Sequence, residues 1–375
     1  MTISSKILVI GGGFAGMTAA LQLSRQGVAV DLVEIDAGWR SYGAGISLHG
    51  ATFRLLQQLG LLERFMEEGN LSDGVHMRGP DDAILATLPT PRVAGPDIPG
   101  GGAIMRPALA RILSDAVRAS TVNVRLGTTF SSIVEQDDVV EVTFRDGSSG
   151  RYDLVIGADG LYSSVRTAIF PDAPKPRFIG QAVWRAVLPK PEGIDTVTMW
   201  MGPTLKVGVN GVNKDEVYLF LTEDRATNDF VPPETFVETL RGLLLKFPSP
   251  IIQKIASELC DEHQIVYRPL EQLLMPRPWF KNRVVLVGDA VHATTPHLAA
   301  GACIGMEDAI VLAEELGKPV GIDEALVAFE NRRFERCQMV VENSGRLAEI
   351  EIHGGSPQEH AEIMKRSMRT LAEPI

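Results

Sequence analysis

Near the N-terminus, Gly11-Gly12-Gly13-Phe14-Ala15-Gly16 has the G-x-G-x-x-G spacing of a loop that lets a phosphate approach the backbone. Gly11 permits the tight turn, Gly13 opens the backbone to a pyrophosphate, and Gly16 lets the following helix pack close to the preceding strand. That helix start offers unpaired N–H groups and the positive end of its dipole. Glu34 stands where a carboxylate accepts hydrogen bonds from a ribose diol and disfavours a 2′-phosphate. Together these residues imply a dinucleotide site, without saying which dinucleotide. A second group of chemistry-bearing residues is Gly288-Asp289-Ala290-Val291-His292, running on to Pro296, His297, Gly301 and Ala302. Asp289, at the carboxyl end of a buried strand, suits polyol hydroxyls. Gly301 and Ala302 open a helix whose N–H groups can stabilise negative charge.

The elements that must carry these residues can be read from the pattern. Lys6 to Ile10 and Val28 to Glu34 read as buried strands flanking a helix from Phe14 to Gln26, a β-α-β unit of the parallel-sheet type. Lys6 and the uncharged run to Ser24 also fit a signal peptide, but the three glycines break that run and favour strand, turn and helix. Helices are expected over Thr52 to Glu68, Arg106 to Ala119, Ala302 to Leu316, Asp323 to Leu347 and Pro357 to Leu371. Pro80 to Gly102, crowded with Pro and Gly, is expected to hold no regular element. From Arg177 to Pro276 short β-like runs dominate, interrupted by a single helix over Pro233 to Lys246. Arg283 to Val287 returns to a buried parallel-type strand.

The fold class is therefore α/β, a Rossmann-like binding domain with an inserted, mainly antiparallel sheet and C-terminal helices. The expected division is 1–72, 103–176 and 277–320 for the binding domain, 73–102 and 177–276 for a substrate domain, and 321–375 for a helical region. A net charge of −11 argues against nucleic acid, and no run is apolar for long enough to cross a bilayer. Cys260, Cys303 and Cys337 lie far apart, without metal spacing, which fits a reducing, cytoplasmic setting without a structural metal.

Ile156-Gly157-Ala158-Asp159-Gly160, followed by Ser163-Ser164-Val165-Arg166, resembles the "DG" motif of the FAD-dependent aromatic hydroxylases, the p-hydroxybenzoate hydroxylase-like group. The Gly288-Asp289 segment resembles that family's "GD" motif, and the three motifs follow in family order over nearly the whole chain. The resemblance implies FAD as cofactor, reduced by NADH or NADPH without a second nucleotide domain. O2 then forms a C4a-hydroperoxide that hydroxylates an aromatic substrate. It also implies that Gly45 and Ile46 lie beside the flavin, that Arg106 contacts FAD, and that Asp159 and Arg166 share a role in FAD and nicotinamide handling. Ala300 and Cys303 stand where relatives often carry Gln and Gly.

For the substrate, His297 is the first candidate for a base or relay toward a phenol, against a structural role in orienting its loop; His292 reads as a supporting residue. Lys206, Gly208 and Asn210 share one face of a strand, as do Tyr218 and Phe220; that face either covers the flavin or meets solvent. A small aromatic or heteroaromatic acid or phenol is the leading substrate class. Rivals are a polycyclic or quinone-like substrate, a flavoprotein oxidase or dehydrogenase, and a non-catalytic FAD sensor. A monomer and a homodimer are both compatible with the sequence.

Overall fold

The computed structural model describes residues 5–136, 138–261 and 263–375. Its central sheet orders the strands Phe280–Lys281, Val284–Leu286, Leu154–Gly157, Lys6–Ile10, Ala29–Glu34 and Asn123–Leu126. All neighbours are parallel except the Phe280–Lys281 edge. Ile7, Leu8, Leu32, Val155 and Val285 are fully buried, as expected where helices cover both faces of a parallel sheet. Phe14–Arg25 is the first crossover helix, and Gly301–Leu316 packs across it. The close approach is possible because Ala15 sits opposite two glycines: a Cβ on Gly288 would lie 3.1 Å from that of Ala15, and one on Gly305 3.5 Å.

A seven-stranded sheet orders Ile265–Gln272, Arg177–Pro189, Glu216–Asp224, Leu205–Gly211, Val197–Met201, Val75–Arg78 and Ile84–Leu88. Only the Val197–Met201 and Val75–Arg78 pair is parallel. Two antiparallel three-stranded sheets complete the β-structure of the described residues, and the chain ends in helices Ile322–His353 and Pro357–Ala372. The α/β class, with its parallel sheet, antiparallel sheet and C-terminal helices, is thus the observed one. Among the described residues no helix is long and apolar enough to cross a membrane.

Three local expectations are corrected. Pro80–Gly102 is not without regular structure: it contributes the edge strand Ile84–Leu88, whose partner strand supplies the hydrogen bonds that composition cannot reveal. The expected helix over 52–68 is two helices, Gly50–Gln58 and Leu62–Glu68, separated at Gly60 with φ +68°, the left-handed conformation glycine adopts readily. The inserted region holds two α-helices, Phe236–Leu244 and Pro250–Glu258. The second begins where the Ser249 hydroxyl accepts from Ile252 N and Pro250 occupies the first turn.

Those two helices cover one face of the large sheet. Trp184, Trp200, Leu219 and Leu221 point that way and pack with Leu240, Leu244, Ile252 and Ile255. Strand alternation therefore turns Arg185, Lys206, Gly208, Asn210, Tyr218 and Phe220 to the opposite face.

Candidate functional site

The first half of the site is the fingerprint turn. Gly11 has φ +110°, and a Cβ there would lie 2.3 Å from Ala158 O. A Cβ on Gly16 would lie 2.0 Å from Gly11 O, whereas one on Gly13 would meet nothing within 4 Å. The loop is therefore closed on its sheet side and open above Gly13. Helix Phe14–Arg25 has no acid in its first turn, and among the described residues no side chain caps its leading N–H groups. Glu34 is held in place by Gly12 N, which donates to Oε2 at 2.7 Å, and by Asp36 N, which donates to Oε1 at 2.8 Å. Trp39, which the sequence reading did not single out, donates its indole N–H to Gly12 O at 2.9 Å.

The second half is the Gly288–Ala302 segment. Gly288 takes φ +62° and its N–H donates to Asp308 Oδ2 at 2.9 Å. The same carboxylate oxygen bonds His292 Nε2, and Arg333 Nε donates to Oδ1 at 2.8 Å. His292 thus acts on the turn from behind. Burial opposes its charge, yet the adjoining Asp308 carboxylate holds the imidazolium well above the ordinary histidine range. Burial also works against the Asp308 charge, but His292 and Arg333 outweigh it and hold this carboxyl down to about 2. Beyond His292, a 3-10 turn over Pro296–Leu298 and the left-handed Ala299 (φ 49°) deliver Gly301 and Ala302 to the start of helix Gly301–Leu316. This helix start also lacks a side-chain cap and an acid.

Asp289 lies between the two halves. Its side chain is accessible yet deep, as on the wall of a cleft. Among the described residues no donor hydrogen-bonds its carboxylate, and desolvation pushes the carboxyl pKa up. Arg106 is similarly accessible and deep; desolvation lowers its pKa, and its guanidinium lies over the Phe14 ring at 4.9 Å. An accessible carboxylate, an accessible arginine close enough to act on it and two helix starts without side-chain caps fit a polyol diphosphate. The residues present therefore suit FAD: Asp289 for ribityl hydroxyls, Arg106 and the first helix for the diphosphate, Gly301 and Ala302 for the flavin ring.

Asp159 and Arg166 are placed otherwise. Asp159 caps helix Ser164–Ile169 by accepting from Ser164 N at 2.7 Å and Val165 N at 3.0 Å. Arg166 donates to Ala290 O at 2.8 Å and Leu161 O at 2.9 Å, tying the second motif to the third. Both side chains are occupied in fixing the motifs against each other.

The face of the seven-stranded sheet opposite its two helices packs toward strand Gly45–His49. Asn210 is fully buried, Tyr218 is 6% exposed and the Lys206 side chain 12%, so the solvent alternative for this face is excluded. Tyr218 packs on strand Gly45–His49: a Cβ on Gly45 would lie 2.4 Å from its Cβ. Its hydroxyl accepts from Arg185 Nε at 2.9 Å. Asn210 Nδ2 donates to Ser47 Oγ at 3.0 Å, so it joins the sheet to that same strand. Ile46, in the middle of the strand's register, pairs with Ile104.

Lys206 forms an ion pair with Glu351 at 2.5 Å, and Glu351 also meets His297 and His360, each at 3.4 Å. Burial opposes the Glu351 charge, but Lys206 and the two histidines hold its pKa far below the usual range. The His297 side chain is 1% exposed and burial lowers its pKa, which favours the neutral ring. Nδ1 then accepts from Thr295 Oγ1 at 2.9 Å, and Nε2 donates to Gln181 Oε1 at 3.1 Å. Glu351 gave no sequence signal of its own, because it lies on a long helix of mixed charge.

The model of the FAD binding domain family matches residues 4–344. The 3-amino-4-hydroxybenzoate 2-monooxygenase of Streptomyces cremeus is 31% identical over 92% of this chain and 87% of its own length. The 2-heptyl-3-hydroxy-4(1H)-quinolone synthase of Pseudomonas aeruginosa is 30% identical, with 92% and 90% covered. Among solved structures, Klebsiella pneumoniae HpxO complexed with FAD and uric acid superposes with a TM-score of 0.81 at 25% identity. That match covers 99% of this chain and 93% of the other.

Proposed function

This chain belongs to the FAD-dependent monooxygenase family of the aromatic-hydroxylase type, and from that premise we propose that it hydroxylates a small aromatic or heteroaromatic ring with electrons from NADH or NADPH. The observation that carries the substrate class is the polar interior face of the seven-stranded sheet, where Arg185, Tyr218 and Lys206 stand enclosed rather than in solvent. Relatives named for an aminohydroxybenzoate, a quinolone and a structure with uric acid support a planar, oxygen-bearing ring.

When bound, FAD supplies the hydride acceptance and oxygen activation that no side chain here can provide. The protein supplies position and charge. The N–H groups at the start of helix Phe14–Arg25 and Arg106 would hold the diphosphate, and Asp289 would accept from the ribityl hydroxyls. The N–H groups at Gly301 and Ala302 would lie against the flavin ring, where a helix start favours negative charge. Arg185 and Tyr218 offer hydrogen bonds to a phenol or carboxylate, which the enclosed sheet face shields from water. The neutral His297, bonded to Thr295 and Gln181, orients the turn that leads to Gly301.

The test is oxidation of NADH and NADPH by the yellow protein, with and without a panel of hydroxylated benzoates, hydroxypyridines and purines. Stimulated consumption with a product heavier by one oxygen supports the reading. Peroxide formed from an alcohol or amine without nicotinamide would replace it with an oxidase.

A further inference from the structure

Trp39 is a bulky residue in a conformation that costs it strain. Its φ is +48°, in the left-handed region that side chains other than glycine and asparagine seldom occupy. Strain of this kind persists only where the surroundings over-determine it, and it gathers at ligand sites. A loop directly after Glu34 imposes it. Asp36 Oδ1 accepts from Gly38 N at 2.7 Å, its Oδ2 accepts from the Tyr42 hydroxyl at 2.9 Å, and Trp39 N donates back to Asp36 O at 3.0 Å. The loop is a ring of hydrogen bonds that presents one large aromatic side chain.

The indole is presented to the fingerprint. Its N–H donates to Gly12 O, and a Cβ on Gly12 would lie 2.4 Å from Trp39 Nε1 and 3.1 Å from Glu34 Oε2. Indole, phosphate loop and the carboxylate suited to a ribose therefore meet around one residue. The Arg118 guanidinium lies over the indole at 4.9 Å, yet the side chain stays half-buried rather than enclosed. A core-filling tryptophan would look like Trp184, Trp200 or Trp279, each with no exposed surface.

We propose that Trp39 is a binding residue for the adenosine half of FAD, its indole forming the apolar wall against which the adenosine packs beside Glu34. The proposal rests on FAD being the cofactor. Arg118 backs the ring and the Gly12 carbonyl fixes its edge, so the wall is in place before the cofactor arrives.

Trp39 is the one tryptophan of the four with exposed surface, so iodide quenching of the full-length, deflavinated protein reports on it alone. ADP, which carries the adenosine and diphosphate, is expected to shield this emission from iodide, and FMN, which lacks adenosine, to leave it accessible. Trp39→Leu is expected to weaken FAD binding roughly 5- to 100-fold, the range of stacking between a base and an aromatic side chain. Trp39→Phe should weaken it less. Trp39→Gly, in which the positive φ is no longer strained, should lose as much affinity as the leucine variant. Wild-type affinity in Trp39→Leu, or equal shielding by FMN and ADP, overturns the proposal while leaving FAD binding intact. A wild-type chain that takes up no FAD overturns both.

Discussion

Asp289→Asn should make the apoprotein more stable and its FAD site weaker, and the two effects have one cause. The wild-type carboxylate sits deep with no donor bonded to it among the described residues, and burial raises its pKa. An acid whose folded pKa lies above its unfolded value of about 3.9 keeps its proton in the folded state after the unfolded state has lost it. Its presence therefore lowers stability as pH rises from about 4 through the folded pKa, and the penalty persists above that point. Asparagine keeps the shape and removes the charge. The side chain keeps solvent access, which discounts the penalty, so apo Asp289→Asn should melt only slightly above wild type at neutral pH. The gain should vanish near pH 4. A carboxylate accepting from one hydroxyl contributes about 1.5–3 kcal/mol, so the variant should bind FAD roughly 10- to 150-fold more weakly. Wild-type FAD affinity should also rise with pH through the titration, because binding favours the ionised form, and the variant should lose that slope. Thermal scans of both apoproteins and flavin-fluorescence titrations at about pH 5 and pH 8 provide the numbers. A variant that melts lower than wild type and binds FAD as tightly would show that Asp289 serves only as part of the turn.

The remaining predictions concern other parts of the cleft. His49 has an enclosed, unpartnered Nε2, and burial lowers its pKa to about 4. Its folded value lies below the unfolded one of about 6.5, so stability present above that pH is lost as pH falls toward 4, by at most about 3 kcal/mol. Urea midpoints of wild type and His49→Gln should diverge over that window and run parallel above it. Lys206→Met strands Glu351 with two histidines and should cost about 2–4 kcal/mol, measured by denaturant unfolding. Adding Glu351→Leu should return most of that stability; if it also returns substrate-stimulated NAD(P)H oxidation, Lys206 takes no part in the reaction. Gly16→Ala places a Cβ 2.0 Å from Gly11 O and should purify with little FAD, by absorbance ratio, because the fingerprint turn must open to admit it.

The sequence disclosed the parts of this molecule whose signal is local. Three glycine-bearing motifs announced their own turns, and Gly11, Gly160 and Gly288 all take the positive φ that only glycine adopts cheaply. Alternation correctly grouped Lys206, Gly208 and Asn210 but could not say which way they faced. That depended on helices Phe236–Leu244 and Pro250–Glu258 covering the other side. Partners drawn from the C-terminal helices were out of reach: Arg333 and Glu351 look like ordinary charges on a long helix until the fold sets them beside Asp308 and Lys206. Trp39 was hidden for a different reason, since its mark is a backbone angle and not a residue pattern. The strand Ile84–Leu88 was lost because its edge position, flanked by Pro and Gly, leaves composition dominated by its neighbours.

The distribution of charge around helix Gly301–Leu316 links these observations. Behind the helix, every acid is answered: Glu307 pairs with Arg333 and Arg336, and Asp308 with Arg333 and His292. In front of it, among the described residues, Arg106 and Arg185 have no carboxylate partner and the Asp289 carboxylate has no donor. The rear network fixes the turn at Gly288, while the groups in front stay accessible for a ligand. A ligand with both anionic and hydroxyl functions would engage these groups together. Such a ligand stabilises the fold by mass action, in proportion to the logarithm of its concentration over Kd. A protein built this way should gain more stability from FAD than from either ADP or FMN alone, because neither fragment answers the arginines, the carboxylate and the helix starts together.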